Sequence, residues 1–228
     1  MKSSNELAVP VGPGAATTAL VYPAGPSASG AALILGHGAG AGQRSPFLVS
    51  FALALGEFGL DVVTFNFLYT EQKRRLPDRG PLLESCYRAV IDTVQREVPS
   101  AGRSLFIGGK SMGGRIATQV AATDSTLAIR GLVLLGYPLH PPGRPAQRRD
   151  AHLPDIGRPM LFVQGSRDAF GTPAELGPVL DGLSPRPTLR VVEGGDHSFK
   201  LPGRDADKQN AMYRDVQQTI AGWVKGLA

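Results

Sequence analysis

Hydrophobic and polar residues follow two alternating patterns along this chain. Short apolar runs fall at 31–36, 61–67, 103–108, 131–136, 159–164 and 188–193. Between and after them, near 45–57, 82–97, 112–123, 172–183 and 205–226, apolar residues recur at the spacing of a helix face. Short apolar runs rich in branched and aromatic residues read as buried strands, and longer stretches of helical period read as helices. Two further runs, 6–10 and 17–22, flank a Pro-Gly turn and read as a hairpin. Strands that alternate with helices predict βαβ units, and so a mostly parallel central sheet with helices on both faces. No segment repeats, and the length suits one domain spanning 1–228.

The strand expected at 103–108 runs into Gly109-Lys110-Ser111-Met112-Gly113, and a helical pattern follows. Strand, glycine-flanked serine, then helix is the context of a nucleophile elbow, a sharp turn that holds a serine hydroxyl clear of the sheet. A chain with 29 glycines also produces chemically silent turns of this composition, so the serine needs partners. Asp168 lies just past the apolar run that ends in Gly165, and His197 lies just past the one that ends in Gly194-Gly195. The order Ser111, Asp168, His197, each beyond a strand end, is that of a Ser-acid-His site on an α/β sheet. A serine hydroxyl needs a base to become a nucleophile, and histidine, with an unperturbed pKa near 6.5, supplies one. The acid orients the imidazole and stabilises its charged form. Asp196 adjoins His197 in sequence, and it reads as a turn former.

The stretch 33–47 carries an apolar run into His37-Gly38-Ala39-Gly40. A loop at this place supplies one backbone donor of an oxyanion hole, and the residue after the serine supplies the other. Ala39 and Met112 are therefore the expected donors, with His37 bracing the loop. Gly-His-Gly-Ala-Gly-Ala (36–41) also fits a dinucleotide fingerprint, but the next expected strand ends in Asn66-Phe67 instead of an acid. Gly109-Lys110-Ser111 resembles the end of a phosphate-binding loop, yet Ser104 stands where that loop requires glycine. No nucleotide is expected.

The remaining composition narrows the picture. The net charge of +5 comes with scattered arginines and no nucleic-acid motif, so it reads as solvated surface charge and predicts no nucleic-acid partner. Cys86 is the single cysteine, sits in a helical stretch, and excludes an internal disulfide. The first residues, MKSSNELAVPVGPGAA, hold no apolar run of leader length, and no run approaches a membrane span. These features predict a cytoplasmic protein that binds no membrane. The segment 137–159, about 20 residues and rich in proline, is too short for a multi-helix cap, so the pocket should be open. Its histidines, His140 and His152, match no metal template. Tyr69, His140 and Phe170, near strand ends, are expected at the pocket wall.

The motifs GHGAGAG (36–42), FNFLYTE (65–71), GGKSMGGR (108–115), GYPLHPPG (136–143), FVQGSRDAFG (162–171) and GGDHSF (194–199) resemble the α/β-hydrolase superfamily. More narrowly, they resemble its dienelactone-hydrolase-like branch of lidless enzymes, which includes testis-expressed protein 30. The resemblance spans 33–199 and implies an α/β-hydrolase fold, with no cap domain, that hydrolyses esters or similar acyl bonds. Dienelactone hydrolases carry a cysteine nucleophile where this chain has Ser111, so their substrate is not implied. The sequence thus predicts a serine hydrolase without cofactor or metal, a carboxylesterase for small soluble ester substrates working through an acyl-enzyme on Ser111. Thioesterase or peptidase activity would use the same groups, and a non-catalytic scaffold is the alternative of a different class.

Overall fold

A computed structural model describes residues 5–228. Residues 1–4, where the segment read as lacking a leader begins, lie outside the described residues. Eight strands form one sheet: β1 (Asn5–Gly12), β2 (Ala15–Tyr22), β3 (Ala32–Gly36), β4 (Asp61–Phe65), β5 (Leu105–Lys110), β6 (Gly131–Leu135), β7 (Met160–Gly165) and β8 (Thr188–Val192). Their order is β1-β2-β4-β3-β5-β6-β7-β8. The hairpin β1-β2 is antiparallel and joins β4 antiparallel, while β4 to β8 are parallel. Pro10, which cannot donate to a ladder, sits in the edge strand β1 at a register shift.

The helices are α1 (Pro46–Glu57), α2 (Leu68–Glu71), α3 (Gly80–Glu97), α4 (Met112–Ala122), α5 (Pro173–Asp181) and α6 (Ala206–Lys225). Each covers the sheet with its apolar stripe. Leu83, Tyr87 and Val90 of α3, with Ile116 of α4 and Leu176 of α5, bury one face. Leu48 and Phe51 of α1, with Val216 and Ile220 of α6, bury the other. Burying such a side chain fully contributes about 1.5–3 kcal/mol, which is what holds helices on both sides. All residues of β3, β5, β6 and β7 are buried, as fits strands covered on two faces. No helix among the described residues is long and apolar enough to cross a membrane.

Two of the boundaries that differ from the sequence reading bear on the site. β4 stops at Phe65 instead of 67, and the short α2 follows. Asn66 turns the chain there: its amide donates to Thr18 O at 3.1 Å and its side chain to Glu71 at 2.8 Å. β5 runs on to Lys110, so the strand ends directly on Ser111. Between β6 and β7 the chain forms only a single 3₁₀ turn, Leu153–Asp155, and no cap domain. From β3 the chain moves to one neighbour, β4, and then across to the other, β5. The ends of β3 and β5 therefore form the switch point where open α/β sheets take their ligands.

Candidate active site

Ser111 sits at this switch point on a strained turn, with φ 51° and ψ −113°. Only close packing holds a non-glycine residue in such a conformation. Two glycines make that packing possible. A Cβ on Gly109 would lie 2.3 Å from Gly36 O, and one on Gly113 would lie 2.2 Å from the same oxygen. The elbow is thus pressed against the end of β3. Ser111 N donates to Leu135 O at 2.9 Å, and Ser111 O accepts from Arg115 N at 3.0 Å, which ties the turn to β6 and to α4.

The loops after β7 and β8 bring in the other two groups. His197 Nε2 lies 2.8 Å from Ser111 Oγ. His197 Nδ1 lies 2.8 Å from Asp168 Oδ2 and 3.0 Å from Oδ1. Asp168 is only 1% exposed, so its charge depends on hydrogen bonds. Oδ1 accepts from Phe170 N at 2.8 Å, and Oδ2 accepts from Gln164 Nε2 at 2.8 Å. Gln164, wholly buried, also donates to Gly171 O at 2.7 Å and accepts from Tyr137 N at 2.8 Å. It locks the acid's loop to the end of β6. The Phe170 ring stacks on the His197 imidazole, with centroids 4.1 Å apart. Asp196 accepts from Ser198 N and Lys200 N at 2.8 and 2.9 Å, and so shapes its own turn.

His37 spends both ring nitrogens on structure. Nε2 accepts from Phe67 N at 3.2 Å, which leaves Nδ1 to donate to Gly38 O at 2.8 Å. Burial lowers its pKa, partly offset by the bond to Gly38, and favours this neutral form. The ring thereby fixes the loop that carries Ala39. The Ala39 amide has no partner among the described residues. Met112 opens α4, where backbone N–H groups lack helical partners and the helix dipole is positive. Both residues line one cavity with Ser111 and His197, about 630 Å³ in volume. Ala41, Phe47, Leu48, Pro77, Leu83 and Pro138 add much of its apolar wall.

Of the three residues expected at the wall, Phe170 lines the cavity, while Tyr69 and His140 do not. Because β4 ends early, α2 turns Tyr69 inward, where its ring packs edge-on against His37 at 5.9 Å. His140 faces away, with Nε2 3.1 Å from Glu175 Oε1. Glu175 also accepts from Thr172 N and Oγ1 at 2.8 Å each, so His140 supports the loop behind Asp168. His152 Nε2 lies 2.8 Å from Thr118 Oγ1. Cys86 is buried in the core, and burial pushes its thiol up to about 12.

The sequence reading missed four side chains: Gln164, Lys110, Arg115 and Arg149, the last three lining the cavity. Each left a signal. Gln164 is the one amide in a strand of apolar residues, and Arg115 follows Ser111 by four, one helical turn above the elbow. Lys110 is buried beside the site, which lowers its pKa to about 8, with Asp168 and Asp196 opposing the shift.

A mostly parallel sheet with a serine on a strained strand-to-helix turn, and an acid and a histidine on later strand ends, defines the α/β-hydrolase class of folds. The family model described as "Alpha/beta hydrolase domain" matches residues 29–225, and the chain belongs to that family. It is similar to a Xanthomonas campestris protein described as a member of the α/β serine hydrolases without lid, at 24% identity over 96% of both chains and TM-score 0.73. A dienelactone hydrolase from Anabaena variabilis matches at 21% identity and TM-score 0.74, over 99% of this chain and 98% of that one. Est1E from Butyrivibrio proteoclasticus, with ferulic acid bound, matches at 15% identity and TM-score 0.71, over 94% and 99%. At these identities the likeness shows the fold.

Proposed function

We propose that this protein is a serine hydrolase, and specifically a carboxylesterase acting on small soluble esters. The observation that carries the reading is the unbroken chain from Ser111 Oγ to His197 Nε2 at 2.8 Å and from His197 Nδ1 to Asp168 at 2.8 Å, set on a strained elbow. Ser111 Oγ attacks the ester carbonyl carbon while His197 Nε2 takes the hydroxyl proton. Asp168, held by Gln164 and the Phe170 amide, orients the imidazole and balances its charge. The carbonyl oxygen, now an anion, is met by the amides of Ala39 and Met112. The C–O bond breaks as His197 returns the proton to the departing alcohol, leaving an acyl-enzyme on Ser111. Water then attacks the acyl-enzyme by the same steps, releases the acid and restores the serine.

The test is labelling with a fluorophosphonate, paired with turnover of soluble esters. The expected result is labelling at Ser111 alone, its loss in Ser111→Ala, and a fall in turnover by roughly 10⁴-fold or more. Undiminished labelling of Ser111→Ala sinks the assignment. A wild-type protein that is neither labelled nor active on any ester favours the scaffold alternative.

A further inference from the structure

Besides His197, four ionisable side chains line the cavity: Asp78, Lys110, Arg115 and Arg149. Asp78 is neutralised by Arg74 at 2.6 Å. Lys110 has the charges of Asp168 and Asp196 near it. Arg115 and Arg149 form no ion pair among the described residues. The Arg115 guanidinium donates at 3.2 Å to the neutral Gln119 Oε1. Both arginines are half-buried. Burial first, and the charge of Arg149 second, disfavour the charged form of Arg115, and Tyr137 and the Glu84 carboxylate, which makes no ion pair with it, offset this only in part.

The placement of both cations is fixed by the fold. Arg115 stands one turn into α4, its amide bonded to Ser111 O. Arg149 is held from the 137–159 loop by its own backbone. Its amide donates to Leu139 O at 2.9 Å, and its carbonyl accepts from Tyr137 Oη at 2.6 Å. Two half-buried like charges without an ion-paired partner cost free energy, and an anion between them offsets that cost. Guanidinium groups bind oxyanions through short, charge-assisted hydrogen bonds. A neutral ester leaves both cations unmatched.

We infer that the cavity takes esters bearing a second, anionic oxyacid group, a carboxylate or a phosphate monoester, held by Arg115 and Arg149 while Ser111 meets the ester carbonyl. The inference rests on the reading of Ser111 as the nucleophile. The apolar wall then receives the chain between the two groups.

The experiment compares matched esters by pH-stat. Monoethyl adipate against ethyl heptanoate places the charge in the acyl part, and 4-acetoxybutanoate against pentyl acetate places it in the alcohol. Ethyl 5-phosphonopentanoate replaces carboxylate by phosphonate, and the head group with the larger kcat/KM identifies the anion. The anionic member of at least one pair is expected to exceed its neutral partner in kcat/KM by about tenfold or more. That ratio is expected to fall by about tenfold or more in both Arg115→Gln and Arg149→Gln. Arg144→Gln, exposed in the same loop and outside the cavity, keeps the wild-type ratio. Ratios that are equal in wild type and both cavity variants overturn the inference. If Ser111 is still labelled and neutral esters are still turned over in that case, the proposed function stands without it. If the proposed function itself fails, binding decides: adipate titrated into Ser111→Ala by NMR must bind about tenfold more weakly after either arginine substitution, and equal binding overturns the inference.

Discussion

Lys110 shows how one residue beside the site affects the whole molecule. It occupies the variable position between Gly109 and Ser111, at the end of a strand buried on both faces. Burial favours the neutral amine, and the pKa falls to about 8 from 10.5. That difference corresponds to about 3 kcal/mol. Below pH 8 the side chain is charged in the folded and unfolded states alike, and the folded state carries the full cost. Between pH 8 and 10.5 the folded protein releases the proton while the unfolded chain keeps it, so stability rises with pH. Above 10.5 both are neutral and the cost is gone. Lys110→Met, of similar length and without the charge, is expected to be more stable than wild type by about 3 kcal/mol at pH 7. Its advantage should shrink to nothing above pH 10.5. Urea unfolding of both proteins at pH 7 and at pH 10.5 measures this, and equal stability at pH 7 refutes it.

At the scale of elements, the elbow depends on backbone meeting backbone. Gly113 brings the first turn of α4 against the end of β3, where an added Cβ would lie 2.2 Å from Gly36 O. Gly113→Ala is expected to cost at least about 3 kcal/mol and to abolish fluorophosphonate labelling, because the strand and helix must separate. Gly222, exposed in α6 with open space around it, is the contrasting case. Gly222→Ala should add up to about 1 kcal/mol through helix propensity and leave labelling intact. Thermal unfolding with labelling separates the two. The same contrast explains what could be read from the sequence. Strands covered on both faces and helices with one apolar stripe announce themselves by period, so the parallel sheet and its helices were legible. The end of β4 was not, because Asn66 turns the chain through bonds to Thr18 and Glu71 that no local pattern encodes. For the same reason Tyr69 and His140 were misplaced, whereas Ser111, Asp168 and His197 stood at strand ends marked by glycine. Arg149 reaches the cavity only through Tyr137 and Leu139, tertiary contacts that spacing cannot show.

At the scale of the molecule, the segment between the interior strands β6 and β7 has a single 3₁₀ turn, packed on α4, as its one regular element and holds no lid helices. A pocket that needs no opening predicts no rate jump when substrate passes its critical micelle concentration. It also offers little buried length to a long acyl chain, and each methylene left in water forfeits about 0.8 kcal/mol of binding. Neutral acetyl to hexanoyl esters should therefore outperform palmitoyl esters. A kcat/KM that climbs steadily to palmitoyl, or activation at an interface, contradicts this.

The bond from His197 to Ser111 joins positions 86 residues apart. A ribosome adding roughly 5–20 residues per second therefore makes the serine about 4–17 s before the histidine. During that time the proposed nucleophile is an ordinary alcohol without a base. Under the proposed function, the growing chain stays inert toward esters and thioesters, and reactivity begins only when β8 has been laid against β7.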